Sequence, residues 1–289
     1  IKTQPDFVFH LAAQALVRKS YKDPLETWST NLVGTLNILE SLRLLEKKCA
    51  CILITSDKCY SNKEWAWGYR ENDLLGGPDP YSASKACAEL AIKSYVKSFF
   101  SDQQNASVKI ASARAGNVIG GGDWSEDRIV PDCIKAWSKG GTVELRSPSS
   151  TRPWQHVLEP LSGYLLLGSK LYINESLHGE SFNFGPQIAE NNSVLDLVKK
   201  MSEFWEKVKW VCTLEERKPY ESGLLKLNCD KAFFDLEWHS VLSFQETIRY
   251  TIEWYKTFYE DNSNIQSKSS NQIDNYIALA NKLDLGWAK

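Results

Sequence analysis

Four short strand-like runs, separated by helix-length amphipathic stretches, constrain this chain more than any other feature. They are Phe7 to Leu11, Cys51 to Thr55, Val108 to Ala113 and Ser181 to Phe184. The first two are continuous apolar runs rather than alternating ones. That is the signature of strands buried on both faces of a parallel sheet. Between them Asp23-Pro24 opens a helical pattern, with Leu25, Trp28, Leu32, Leu36, Leu39 and Leu42 at three- and four-residue spacing. A second helix is predicted from Pro80 to Phe100, and others over 130–137, 158–171, 194–205 and 243–259. Thr142 to Leu145 reads as a short strand, and a mixed region follows Trp205. Ser263 to Gln272 is polar and reads as a mobile linker, with a short helix over 273–285. Strands alternating with helices of this length imply βαβ units and a parallel sheet, in which ligands sit outside the carboxyl ends of the strands. Those ends carry Ala12 and Ala13, Thr55 to Lys58, and Arg114 to Asn117.

The bulk properties exclude several classes. A net charge of −2 over 289 residues gives no basic footprint for nucleic acid. No apolar run approaches the ~20 residues of a membrane-spanning helix. Seven cysteines without C-x-x-C spacing argue against a disulfide framework and against zinc, and fit a reducing cytosol.

The chemistry concentrates at two places. Tyr81 and Lys85 stand four apart at the start of the helix over 80–100, and so share one face. Of the twelve tyrosines, this one alone has lysine at that spacing, which weighs against coincidence on a surface helix. An ammonium beside a phenol favours the phenolate, which can take a proton from an alcohol while hydride leaves the same carbon. Ser56, Asp57 and Lys58 follow directly on a buried-type strand. They offer a hydroxyl, an acid and an amine, the last usable as a base only if burial or neighbouring charge lowers its pKa. By themselves these three also suit a solvated turn.

The segments HLAAQALVRKSYKDPLETWSTNLVGT, TSDKCY, GYRENDLLGGPDPYSASKACAEL, RAGNVIGGGDW and TRPWQHVLEPLSGYL resemble the extended short-chain dehydrogenase/reductase family, over about Gln4 to Tyr259. Within it they are most similar to the nucleotide-sugar dehydratases, in the branch acting on CDP-glucose. The resemblance implies an α/β fold: a Rossmann-like parallel sheet with its first strands missing, and a smaller C-terminal substrate lobe. It implies an NAD-binding domain over 1–119, with about 150–185 returning to it. The substrate lobe would take 120–149 and 186–262, and 263–289 would form a tail. It implies NAD as cofactor near Ala12, Ala13, Gln14, Tyr81 and Lys85. Tyr81 would act as the redox base, Ser56 as hydrogen-bond donor to the reacting oxygen, Asp57 as acid and Lys58 as base. Relatives of other branches carry Glu where Lys58 stands. Asn117 and Arg152 would hold the substrate, Arg152 through a planar fork suited to pyrophosphate. His156 reads as a packed or capping residue. A homodimer is implied, through helices near 25–45 and 81–100. The alternatives are another member of the same family, such as an epimerase or decarboxylase, of which a simple epimerase needs no acid–base pair for water loss, and a non-catalytic binding or scaffold protein, which needs none of these side chains.

One expected element is missing. No G-x-G-x-x-G precedes the first strand; Gly120 to Gly122 do not match it and read as a turn. That loop sets a helix N-terminus against the cofactor pyrophosphate. The chain also begins with Ile1. Both features suggest an N-terminally truncated form lacking on the order of 60–80 residues, two βαβ units sharing a strand. Such a piece is expected to bind NAD poorly by itself.

Overall fold

The computed structural model describes residues 3–101, 107–187, 192–213 and 223–289. In chain order the elements are β1 (Phe7–His10), α1 (Val17–Lys22), α2 (Pro24–Trp28), α3 (Gly34–Leu42), β2 (Cys49–Ile54), α4 (Pro80–Tyr95) and β3 (Val108–Ala115). Then come β4 (Val118–Ile119), α5 (Ile129–Trp137), β5 (Val143–Leu145), β6 (Thr151–Arg152), β7 (Gln155–His156), α6 (Leu158–Ile173) and β8 (Ser181–Phe184). The chain continues through β9 (Asn192–Ser193), α7 (Val194–Ser202), β10 (Trp210–Cys212), α8 (Asp230–Leu236), α9 (Phe244–Glu260) and α10 (Ile265–Lys282). Ile1, and 214–222 of the mixed region, lie outside the described residues.

The chain divides into two compact units: 1–115 with 162–184 and 227–238, and 116–161 with 185–226 and 239–289. These boundaries differ from the expected ones. Residues 227–238 return to the first unit, and 263–289 belong to the second rather than forming a separate tail.

The first unit holds a four-stranded, wholly parallel sheet of order β1-β2-β3-β8. β2 is buried on both faces, as its apolar run requires, and alternation decides which residue meets which layer. Cys49, Cys51, Leu53, Val108 and Ile110 pack with Leu39, Leu42, Ile92, Val96 and Phe100 of the helices over 34–42 and 80–100. On the other face α6 comes close: a Cβ at Gly163 would lie 2.3 Å from Phe184, and one at Gly168 would lie 2.8 Å from Phe9. Only glycine permits that approach. β1 departs from expectation. It borders the described sheet, with Phe7 exposed and the other three residues half-buried, because only β2 pairs with it.

Caps set the helix starts. Asp23 accepts from Glu26 N–H ahead of Pro24, and Asp79 from Ser82 N–H ahead of Pro80. The predicted helix from Leu25 to Leu42 is realised as α2 and α3 joined by a π-helical turn over Ser29–Val33.

The second unit has its own core, built from Ile134 and Trp137 of α5, Leu197, Val198 and Met201 of α7, and Ile248, Ile252 and Tyr255 of α9. The three glycines form the expected turn. Gly122 has φ of +80°, and a Cβ at Gly121 would fall 2.0 Å from the Trp254 indole. The linker expected over Ser263 to Gln272 is instead the first half of α10. Its polar residues are partnered: Ser269 Oγ accepts from Trp254 Nε1, Lys268 pairs with Glu253, and Gln272 donates to the Tyr250 carbonyl.

Candidate active site

In the first unit the end of β2 runs directly into a 3₁₀ turn, Asp57–Cys59, capped by Ser56. The Ser56 Oγ accepts from Lys58 N–H at 3.2 Å and donates to Asp57 Oδ1 at 3.0 Å. Ser56 and Asp57 are buried and Lys58 is half-buried. This turn packs against α4, whose buried face carries Tyr81 and Lys85. The phenol of Tyr164, on α6, is pushed well up by burial and then by the negative charges of Tyr81 and Asp57, so those two groups share its surroundings. The structure therefore brings Ser56, Asp57, Lys58, Tyr81 and Lys85 into one neighbourhood, which is not the solvated turn that the three residues also suited.

Lys85 is 5% exposed. Burial pulls its ammonium down to about 8, against Glu89 and Cys59, which pull it up. Among the described residues it makes one hydrogen bond, to the Ile54 carbonyl at 3.3 Å. An ammonium has three donors, so two remain for a ligand. His10, at the end of β1, is held below its usual range by burial and by the Lys85 charge. The ends of β1 and β2 thus converge on Lys85. Past β1, Ala12 is exposed and Ala13 half-buried. Gln14 differs. Its carboxamide donates to Thr27 Oγ1 and the Leu16 carbonyl and accepts from Leu16 N–H. Its backbone pairs with Asn31, which donates to Ser84 on α4. Gln14 is a brace that fixes the loop to the Tyr81 helix.

At the third strand end Arg114 turns into the core rather than outward as expected. Arg114 is fully buried and reaches Glu89, also fully buried, through Nε (3.0 Å) and Nη2 (2.7 Å). Sequence reasoning missed Glu89, Arg114 and Tyr164. The one available signal was Glu89 standing four residues beyond Lys85.

Asn117 and Arg152 belong to the second unit. The Asn117 carbonyl accepts from Gln155 N–H. Arg152 is 3% exposed and donates to the carbonyls of Thr151 (2.9 Å) and Gly223 (3.4 Å), so it does not lie at the surface. His156 is packed and capping, as expected: its Nδ1 accepts from Leu158 N–H at 3.4 Å, and its ring stands edge-on to Tyr250. Burial holds it neutral, down to about 4 from 6.5. Its folded pKa is depressed, so the unfolded chain takes a proton that the fold refuses. Stability is therefore lost as pH falls from 6.5 and is fully lost below about 4, about 3 kcal/mol in all. His156→Phe is expected to flatten that part of the stability–pH curve, measured by urea unfolding. Parallel curves would show that another group sets the slope.

None of the seven cysteines is in a disulfide among the described residues. No cluster of metal-ligating side chains occurs among the described residues, and no described helix is long and apolar enough to cross a membrane.

A parallel Rossmann-like sheet with a Tyr-x-x-x-Lys helix against a Ser-Asp-Lys turn defines an extended short-chain dehydrogenase/reductase. The profile of the GDP-mannose 4,6 dehydratase family matches residues 1–251, and the chain belongs to that family. It is 46% identical over 258 residues to a CDP-glucose 4,6-dehydratase of Salmonella typhimurium, covering 88% of this chain and 72% of that one. It is 24% identical to a UDP-glucose 4-epimerase of Mycoplasma genitalium, over 89% of this chain and 78% of the epimerase. Among solved structures, the epimerase Mth375 of Methanothermobacter thermautotrophicus superposes with a TM-score of 0.78 at 23% identity, over 90% of this chain and 74% of that one. RMD of Pseudomonas aeruginosa complexed with NADPH gives 0.74 at 21%, over 88% and 82%.

Proposed function

We propose that this protein is an NAD-dependent CDP-glucose 4,6-dehydratase. The carrying observation is the packing of the Tyr81–Lys85 helix on the Ser56–Lys58 turn, in a chain 46% identical to an enzyme of that name. The donor set suits the nicotinamide-ribose end of NAD: Lys85 has donors to spare for ribose hydroxyls, and Ala12 and Ala13 leave room at the strand end. These 289 residues contain no G-x-G-x-x-G, so no residue here is assigned to the pyrophosphate.

When bound, NAD supplies the acceptor for the C4 hydride and later the donor that completes C6. Tyr81, as phenolate, takes the proton of the 4-hydroxyl, and Ser56 hydrogen-bonds the same oxygen. Lys85 lies one helical turn on, and its positive charge favours the phenolate. Oxidation at C4 acidifies the C5 proton, which Lys58 removes. Asp57 protonates the departing 6-hydroxyl, and water leaves. Lys58 returns a proton to C5, and the product is CDP-4-keto-6-deoxyglucose. Arg152 and Asn117 hold the nucleotide diphosphate and the sugar. An epimerase would not need a buried acid at Asp57 on the turn that packs against the Tyr81 helix, which favours the dehydratase reading over the epimerase relatives. A homodimer is also proposed, through the helices near 25–45 and 81–100, whose surfaces expose Leu25, Val33 and Leu90.

Incubating the full-length protein separately with CDP-glucose and dTDP-glucose tests the reading. The 4-keto product is expected from the cytidine substrate. Conversion of the thymidine substrate only would overturn the cytidine assignment, and interconversion of 4-epimers without water loss would overturn the dehydratase.

A further inference from the structure

The helix over 80–95 sets Tyr81, Lys85 and Glu89 at four-residue steps, so all three lie on one face. Glu89 has no part in the reaction scheme, yet its carboxylate is the most heavily bonded group near the site. Arg114 grips it with two donors, Thr55 Oγ1 donates to Oε1 at 2.5 Å, and Ser112 Oγ donates to Oε2 at 3.0 Å. Arg114 also donates from Nη1 to the Tyr60 hydroxyl at 2.8 Å, and that hydroxyl donates to Asn183 Oδ1 at 2.7 Å. Thr55 and Tyr60 flank the segment Ser56–Cys59. Glu89 therefore holds one end of the catalytic turn directly and the other through Arg114.

Stability gives no reason to bury such a pair. Replacing a buried ion pair by well-packed apolar groups is often neutral or stabilising. Burial pushes the Glu89 carboxyl up, but Arg114 and the surrounding donors outweigh this and hold it below the usual carboxylate range. It stays an anion one helical turn beyond a lysine whose charge burial opposes.

We propose that Glu89, locked by Arg114, is a positioning residue: its negative charge keeps Lys85 an ammonium in the dry site, and its hydrogen bonds fix the turn bearing Asp57 and Lys58. This rests on the dehydratase reading for its consequence in catalysis, though not for its charge effect. Tyr81 stands one helical turn before Lys85 on the same face of the helix. Cys59 faces Lys85 from the 3₁₀ turn and His10 from the end of β1, Asp57 lies in the same turn, and Arg114 stands behind Glu89. Of the two groups that pull Lys85 back up, Glu89 is the larger.

The test is an NMR titration of the lysine side chains in the protein without cofactor or substrate, with the Lys85 signal assigned by its loss in Lys85→Arg. The Lys85 midpoint is expected at about 8 in the unmodified protein. In Glu89→Gln/Arg114→Gln, which neutralises both partners, it is expected to fall, with a matching loss in the ratio of charged to neutral amine. The alkaline limb of kcat/KM should move down with it. Glu89→Met/Arg114→Met carries the same expectation and serves if the glutamine pair does not fold. Glu89→Asp, which keeps the charge, should hold the midpoint near that of the unmodified protein. An unchanged midpoint in a folded neutral-pair variant overturns the proposal. Because the titration uses neither NAD nor sugar nucleotide, failure of the dehydratase assay leaves its outcome intact.

Discussion

Tyr81→Phe is expected to lower the formation of the 4-keto product by about 10²- to 10⁴-fold, the range removed with a positioned acid–base group. The substitution deletes one oxygen and leaves the ring. The ring is 7% exposed and sits on a helix otherwise anchored by its Asp79 cap and by the Asn31–Ser84 hydrogen bond. The fold should therefore survive, and thermal unfolding should move little while turnover collapses. No reduced nicotinamide should accumulate in single-turnover mixtures, because the first proton transfer is the step removed. That separates Tyr81 from Asp57 and Lys58, whose loss acts later. If Tyr81→Phe turns over within a few-fold of the unmodified protein, the phenol is not the redox base and the scheme loses its first step. Lys85→Met should fall as far, with an added loss of cofactor affinity, because its two donors not bonded to protein go with it.

The parallel sheet and the helix carrying Tyr81 and Lys85 were legible because each depends on near neighbours in sequence. A continuous apolar run such as Cys51 to Ile54 has few other uses, and Tyr81 and Lys85 are one helical turn apart. What was not legible depends on distant partners. Glu89 reads as an ordinary helix-surface acid until Arg114 arrives from a strand 25 residues on, and Arg114 reads as a ligand-facing residue until its guanidinium turns into the core. The segment 263–272 failed for a related reason. Its serines, asparagines and lysine give no apolar period, and the helix stands because Trp254, Glu253 and Tyr250 of α9 supply partners for its polar side chains. The unit boundaries failed because a short return, 227–238, brings Trp238 under α6, where its indole donates to Ser162 and stands edge-on to Phe184. No periodicity announces such a contact.

Lys58→Ala is expected to divide the reaction rather than abolish it. In the proposed scheme oxidation at C4 needs Tyr81, Ser56 and Lys85, none of which this substitution touches. Water loss needs a base at C5, and in this chain the position after the acid is an amine rather than a carboxylate. Lys58 is half-buried in the middle of the 3₁₀ turn, and its backbone N–H stays bonded to Ser56 Oγ whatever side chain it carries. The turn should therefore keep Asp57 in place. With the base gone, reduced nicotinamide should build up in a single turnover while the 6-deoxy product falls by about 10²-fold or more. In deuterated solvent the stalled sugar should carry no label at C5. Asp57→Asn makes the contrasting case: the base remains, so C5 should exchange with solvent while the 6-hydroxyl stays. Label entering C5 in Lys58→Ala at the rate seen in the unmodified protein would mean that another group removes that proton. The amine would then be left with the substrate's charge to hold, and the acid–base division between Asp57 and Lys58 would have to be redrawn.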